Sequence, residues 1–218
     1  MIKILIGNLF ESRCQTLVNT VNCVGIMGKG IAQIFKKEHP AMFEDYKARC
    51  ERGEVRLGEP YLYTDLSGVS ILNFPTKQHW RSGSRLEDIE KGLDRFKERY
   101  REWGIQSVAF PPLGCGNGGL EWEEVGPLMY EKLSDLPIGV EIYAPYGTPT
   151  GQTKKDFLEH QRQRGLTFSR QSASRMNPSW FALLEVIHRL QEQPYAKPVG
   201  QVVFQKLCYI FTELGVDT

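Results

Sequence analysis

Two glycine-rich loops carry the residues of this chain best suited to hold an anion. The first runs Asn19-Thr20-Val21-Asn22-Cys23-Val24-Gly25-Ile26-Met27-Gly28-Lys29-Gly30 and leads into an apolar-faced helical stretch. Gly25, Gly28 and Gly30 let the backbone approach a ligand closely or turn at positive φ, and the amides opening the next helix attract negative charge. A phosphate-bearing ligand is the expectation; a tight turn that binds nothing would use the same glycines. Two familiar phosphate loops are excluded. A P-loop needs glycine where Cys23 stands and Ser or Thr after its lysine, whereas Gly30 follows Lys29. A dinucleotide fingerprint starting at Gly28 fails because Gln33 replaces its last glycine.

The second loop is Pro111-Pro112-Leu113-Gly114-Cys115-Gly116-Asn117-Gly118-Gly119-Leu120. Gly114-x-Gly116-x-x-Gly119 meets the dinucleotide fingerprint formally, but its Pro-Pro entry and its place in the last strand-loop-helix-strand unit argue against NAD chemistry. Glycine loops at two strand ends of one domain suggest a ligand clamped from both sides of a diphosphate. Cys115 has no sequence-linked histidine, so a buried thiol is expected there rather than a nucleophile. Glu121, Glu123 and Glu124 are expected to complement the dipole of the helix they open.

Between the loops, Phe74-Pro75-Thr76-Lys77-Gln78-His79-Trp80-Arg81 gathers cations around one indole, with Arg85 close by. Cations track nucleic-acid phosphates and Trp80 could stack a base; a solvated loop with the indole tucked against the sheet uses the same residues. By residue type alone Lys77 is a solvated surface lysine. The chain's 27 basic and 26 acidic residues argue against a histone-like binder and leave room for a local basic strip. His39, His79, His160 and His188 show no metal-ligand spacing, so no metal is expected. Five cysteines with no CxxC pair point to a reducing cytoplasm. The chain opens directly on Ile2-Lys3-Ile4-Leu5-Ile6 and holds no apolar run of membrane-spanning length, so neither export nor membrane contact is expected.

Placing these loops requires alternating elements. Strands are predicted over 2–6, 16–21, 60–64, 69–74, 106–110 and 139–144, and helices over 30–37, 41–52, 86–103 and 122–133. The pattern is that of an α/β fold with a mixed sheet, its third and fourth strands forming an antiparallel hairpin. After Pro145 the composition turns Thr/Pro/Gly-rich and then basic. A domain over 1–150, a basic connector over 151–176 and a further helical segment over 177–218 are the expected divisions. Two apolar-faced helices, over 180–190 and 202–214, cannot close a core alone, so they are expected to begin a second, truncated domain or to dock on the first.

Taken together, Asn19-Thr20-Val21-Asn22-Cys23-Val24-Gly25-x-Met27-Gly28-Lys29-Gly30, Pro112-Leu113-Gly114-Cys115-Gly116 and the opening Ile6-Gly7-Asn8-Leu9-Phe10 resemble the macrodomain family of ADP-ribose binders and hydrolases. The likeness covers residues 1–146 and is greatest to the branch of DNA ADP-ribosyl glycohydrolases, the DarG antitoxins. It implies a three-layer α/β/α sandwich around a mostly parallel sheet, with a helical C-terminal extension that starts a toxin-binding domain at 177. Implied partners are ADP-ribosylated single-stranded DNA, ADP-ribose as ligand and product, and a cognate DNA ADP-ribosyltransferase toxin (DarT); no cofactor is implied.

The resemblance assigns Asn8 and Leu9 to the adenine end, where many macrodomains carry aspartate at the position of Asn8; Tyr143 and Tyr146 could supply a face for the base, and packing in the core or at the domain boundary would use the same residues. Asn22 and the turn through Gly25, Met27, Gly28, Lys29 and Gly30 fall to the distal ribose. Gly114, Cys115, Gly116, Asn117, Gly118, Gly119 and Leu120 fall to the diphosphate, with Thr20 and Thr76 completing the contacts. Lys77 becomes the catalytic residue, with Asn22 orienting the ribose, and His79, Trp80, Arg81 and Arg85 become the DNA contacts. Relatives that free glutamate from ADP-ribose use an acid in the second loop, where this chain has Gly118. That departure favours the DNA-directed branch over a hydrolase of protein-linked ADP-ribose; a non-catalytic ADP-ribose reader would need both loops but no Lys77.

Overall fold

Among the described residues, six strands form where β-branched and apolar residues concentrate: β1 (Ile2–Leu5), β2 (Thr16–Asn22), β3 (Tyr61–Thr64), β4 (Ser70–Lys77), β5 (Ser107–Phe110) and β6 (Gly139–Tyr143). Four helices lie between them: α1 (Gly30–Glu38), α2 (Pro40–Glu51), α3 (Leu86–Arg99) and α4 (Trp122–Leu133). The computed structural model describes residues 2–65, 68 and 70–159. The helices expected over 180–190 and 202–214, most of the connector and the toxin-binding segment lie outside the described residues. No helix among those described is long and apolar enough to cross a membrane.

The strand order is β1-β6-β5-β2-β4-β3. Every neighbouring pair is parallel except β3 and β4, the expected hairpin. Alternation along each strand covers both faces of the sheet. Val18, Leu72, Phe74, Val108, Phe110, Val140 and Ile142 pack with Ile89, Leu93 and Phe96 of α3 and Val125 and Met129 of α4. Val21, Ile71, Ala109 and Tyr143 pack with Phe35 of α1 and Met42 and Tyr46 of α2 on the other face. The result is the α/β/α sandwich.

Two element ends differ from the sequence pattern. Helix α3 stops at Arg99, and residues 100–104 close it as turns at Gly104, whose φ of +68° suits a helix-ending glycine. Strand β4 runs three residues further than expected, through Pro75. Proline cannot donate to a ladder. The register slips directly after Val21 pairs with Pro75, so that Asn22 stands opposite Lys77.

The topology then creates a crevice. Neighbouring parallel strands β2 and β5 send their chains to opposite faces, β2 to α1 and β5 to α4, so the loops leaving their C-terminal ends diverge. Both glycine loops are at this edge.

The chain beyond β6 docks on α4. The Trp122 indole N–H donates to the Gln152 carbonyl at 3.2 Å, the Gln152 amide donates to Glu123 at 2.8 Å, and Leu158 is 2% exposed within the α3/α4 core. Replacing Leu158 by Ala is expected to cost about 2–5 kcal/mol, as for other fully buried leucines. A urea midpoint equal to that of the wild-type chain would show that this segment contributes nothing to the core.

Candidate functional site

Asn22 ends β2 and builds the first loop. Its Nδ2 donates to the Ile26 carbonyl at 2.5 Å, while its Oδ1 accepts from the Val24 and Ile26 amides at 3.0 and 3.4 Å. From α2, the buried Tyr46 hydroxyl reaches both the Asn22 carbonyl (2.9 Å) and Oδ1 (3.0 Å). Gly25 turns at φ +78° against Lys47 and Cys50 of α2. Met27 is 3% exposed and lies 3.8 Å from the Asn19 amide beneath it. At the loop's end Lys29, the N-cap of α1, makes no side-chain cap, and Gly30 takes φ +58°. The opening amides of α1 therefore lack the side-chain oxygen that usually satisfies them, the arrangement an anion completes.

The second loop is drawn tight by its own backbone. The Leu120 amide donates to the Gly114 carbonyl at 3.1 Å and the Gly119 amide to that of Gly116 at 3.2 Å, with Gly114 and Gly119 both at positive φ. A side chain on Gly114 would meet Leu120 at 2.7 Å, and one on Gly118 would run into Ser84 Oγ and the Gly114 carbonyl oxygen. Cys115 is held as a thiol, pushed up to about 12 by burial and then by Glu121 and Glu123. This suits a wall residue rather than a nucleophile.

The segment after β4 joins the two loops. Its Gln78 carbonyl accepts from the Cys23 amide in the first loop, and its Ser84 amide donates to the Gly118 carbonyl in the second, at 3.2 and 2.8 Å. Lys77 itself crosses the gap, with Nζ 2.6 Å from the Asn117 carbonyl. The Asn117 side chain in turn approaches Gly30 so closely that a methyl there would stand 3.2 Å from Nδ2. Burial lowers the pKa of Lys77 below that of a free lysine. Lys77, Asn22 and both cradles thus converge, with Thr76 buried next to Lys77 and its hydroxyl 3.5 Å from the Val21 carbonyl.

The basic strip divides. Trp80 is 42% exposed, so it is not tucked against the sheet, and the Arg81 guanidinium lies over its ring at 4.4 Å. The Arg81 amide donates to His79 Nδ1, and the His79 ring tilts against the indole at 5.3 Å. Arg85, by contrast, is held in a two-pronged ion pair with Asp88 at 2.9 and 3.2 Å. At the residues that the resemblance assigns to adenine, the Asn8 side chain caps the turn Leu9–Glu11, accepting from the Phe10 amide and donating to Glu11, while Leu9 is buried. Of the two tyrosines, Tyr143 is 8% exposed and belongs to the core, whereas Tyr146 is 75% exposed. Five exposed apolar side chains, Ile6, Val24, Ile26, Trp80 and Tyr146, follow the C-terminal ends of parallel strands and so border this edge of the sheet.

Tyr46, Gln78, Ser84 and Asp88 were not singled out by the sequence. Asp88 had a signal, since it lies three residues after Arg85 at the start of a helix. The others act through contacts 24 or more residues away in the chain, or through backbone atoms, and residue type does not announce either.

A family model described as Macro domain matches residues 18–129. A DNA ADP-ribosyl glycohydrolase of Thermus aquaticus is 38% identical over 223 residues, covering 100% of this chain and 57% of the relative. One of Mycobacterium tuberculosis is 39% identical over 222 residues, covering 97% and 58%. The chain therefore spans under two thirds of the length of these relatives. Among solved structures, the macrodomain of Mycobacterium tuberculosis DarG superposes with a TM-score of 0.64 at 47% identity, covering 66% of this chain and 98% of that one. Thermosipho africanus DarTG in complex with ADP-ribose gives a TM-score of 0.69 at 41% identity, covering 72% and 45%.

Proposed function

We propose, from the premise that this chain belongs to the macrodomain family and to its DNA ADP-ribosyl glycohydrolase branch, that it binds ADP-ribose across the two glycine loops and hydrolyses the N-glycosidic bond joining ADP-ribose to thymine in single-stranded DNA. One observation carries the catalytic half of this reading: Lys77 stands at the junction of the cradles, opposite Asn22 in register and 2.6 Å from the Asn117 carbonyl. A reader of ADP-ribose has no use for a partly buried amine at that point. Relatives named as DNA ADP-ribosyl glycohydrolases, and one named as a fusion with a DNA ADP-ribosyl transferase, support the reaction and a toxin partner of the DarT kind. The place of action is the cytoplasm, where the four unpaired cysteines of the described chain stay reduced.

Cleavage separates the anomeric carbon from the thymine nitrogen. Charge leaves with the base while the ribose gains oxocarbenium character; water supplies the new hydroxyl on the anomeric carbon, and the proton it releases neutralises the thymine nitrogen. Lys77, as an ammonium, stabilises the departing thymine anion. The uncapped amides of α1 and the second loop hold the diphosphate, the turn shaped by Asn22 seats the ribose, and Tyr146 offers an exposed ring at the adenine end.

The reading is tested by offering ADP-ribosyl-thymidine DNA and ADP-ribosyl-glutamate protein side by side. Release of ADP-ribose from the DNA alone is the expected result; release from the protein alone would replace the proposal with the protein-directed activity, and binding without release from either would make the chain a reader.

Trp80 with the Arg81 guanidinium over its ring supports contact with unpaired bases and phosphates. Trp80→Ala is expected to raise KM for a modified oligonucleotide by about tenfold, since base stacking on an aromatic contributes about 1–3 kcal/mol, and to leave free ADP-ribose binding unchanged. Turnover of the oligonucleotide should also fall more steeply with salt than ADP-ribose binding does. Equal effects on both ligands would remove this turn from the DNA surface.

A further inference from the structure

The carboxamide of Asn22 has two protons to give and two lone-pair directions to fill. Three donors crowd its oxygen: the Val24 amide at 3.0 Å, the Ile26 amide at 3.4 Å and the Tyr46 hydroxyl at 3.0 Å. Its nitrogen faces a carbonyl, that of Ile26. Turning the amide over would set NH2 against the Val24 and Ile26 N–H groups and oxygen against the Ile26 carbonyl, so its orientation is determined by its neighbours. One proton goes to Ile26, leaving a single N–H for anything entering the crevice.

Tyr46 is the member of this set that comes from outside the loop. It lies on α2, 24 residues away in the chain, and is 0% exposed. Its phenol stays neutral, since burial, and then the Cys50 thiol beside it, raise its pKa far above the ordinary value. The hydroxyl proton is shared between the Asn22 carbonyl and Oδ1, 2.9 and 3.0 Å away, which ties both the end of β2 and the side chain to the α2 layer.

We infer that Tyr46 is a positioning residue for ligand recognition: its hydroxyl locks the Asn22 amide so that Asn22 presents a hydrogen-bond donor, and only a donor, to an acceptor oxygen of the bound ribose. This rests on the ADP-ribose reading above and deepens it.

The test is a cycle of Tyr46→Phe, Asn22→Ala and the double variant, with the dissociation constant for ADP-ribose measured by calorimetry and the melting temperature followed separately. Phenylalanine keeps the ring in the core and removes the hydroxyl alone. The expected result is a loss of affinity of about 2–10-fold for Tyr46→Phe, the range of one hydrogen bond. A larger loss is expected for Asn22→Ala, with no further loss in the double variant. Additive losses, or a Tyr46→Phe chain that melts lower yet binds normally, would overturn the inference and leave Tyr46 a packing residue.

The wild-type chain gives a second readout that survives a poorly folding variant. By NMR, one Asn22 side-chain amide proton should exchange slowly without ligand, and the other should slow only when ADP-ribose is added. If ligand leaves both protons unchanged, the inference is overturned. A wild-type chain that binds no ADP-ribose would overturn the functional reading and the inference together, whereas intact binding with additive losses overturns the inference alone.

Discussion

Replacing Lys77 by alanine is expected to reduce hydrolysis of ADP-ribosyl-thymidine DNA by about 10²–10⁴-fold, the span of a positioned proton-transfer or charge-stabilising group, with little change in affinity for free ADP-ribose. The asymmetry follows from where Lys77 sits. Its ammonium meets the Asn117 carbonyl in the gap between the cradles, while the loop amides proposed to hold the diphosphate and ribose are left in place by the substitution. A group needed only as the glycosidic bond breaks lowers kcat and kcat/KM together and spares binding. Single-turnover rates on modified DNA and calorimetry with ADP-ribose separate the two quantities. Preserved turnover would end the assignment, and equal loss of binding and turnover would reduce Lys77 to a ligand contact.

The pH dependence of the same reaction distinguishes two roles that Lys77 can fill. Burial lowers its pKa, so the neutral amine becomes available at a lower pH than for a free lysine. A nucleophilic amine would make the rate climb as pH rises through that lowered value. An ammonium that stabilises the departing thymine anion would make it fall over the same range. The short bond to the Asn117 carbonyl favours the charged donor, so the falling profile is expected. A rising limb that disappears in Lys77→Ala would instead identify covalent attack.

How much of this was legible in the sequence depends on the range of the interaction concerned. The strand-loop-helix course of β2, its turn and α1 is local, written in β-branched residues, three glycines and an apolar helical face, and it forms as expected. The pairing of β3 with β4 is equally local. The contact between Lys77 and the second loop spans 40 residues, and the register slip that brings Asn22 opposite Lys77 depends on Pro75 being accommodated in a strand. Arg85 reads from residue type as one cation of a basic strip, although Asp88, 4% exposed and three residues further on at the same helix start, holds its guanidinium. Tyr143 and Tyr146 are three residues apart and alike in type, yet strand alternation sends one into the core and the turn after β6 leaves the other in solvent. For Lys77 and Asn22 a partner from another element decided the outcome, whereas for Arg85 and the two tyrosines the local course of the chain did.

Gly118 shows the same limit with the largest structural consequence. The resemblance sets this position where glutamate-directed relatives carry an acid, which suggests that an Asp there would install their chemistry, but the geometry predicts a broken cradle. Any side chain at this position collides with Ser84 Oγ and the Gly114 carbonyl oxygen and approaches the Gly114 carbonyl carbon to 3.0 Å. The Ser84 hydroxyl can be displaced at little cost, because it is buried with no hydrogen-bond partner. The Gly114 carbonyl cannot, since it already accepts from the Leu120 amide and its own residue turns at φ +75°. Gly118→Asp is therefore expected to lower stability by about 1–3 kcal/mol through overpacking, to weaken ADP-ribose binding at least about tenfold as the second loop's amides shift, and to confer no release of ADP-ribose from glutamate. Adding Ser84→Gly should recover part of the stability and not all of it, because the backbone clash remains. A Gly118→Asp chain that melts and binds ADP-ribose like the wild type would mean that the second loop yields to a side chain, and the glycine at 118 would then have to be explained by the reaction instead of by packing.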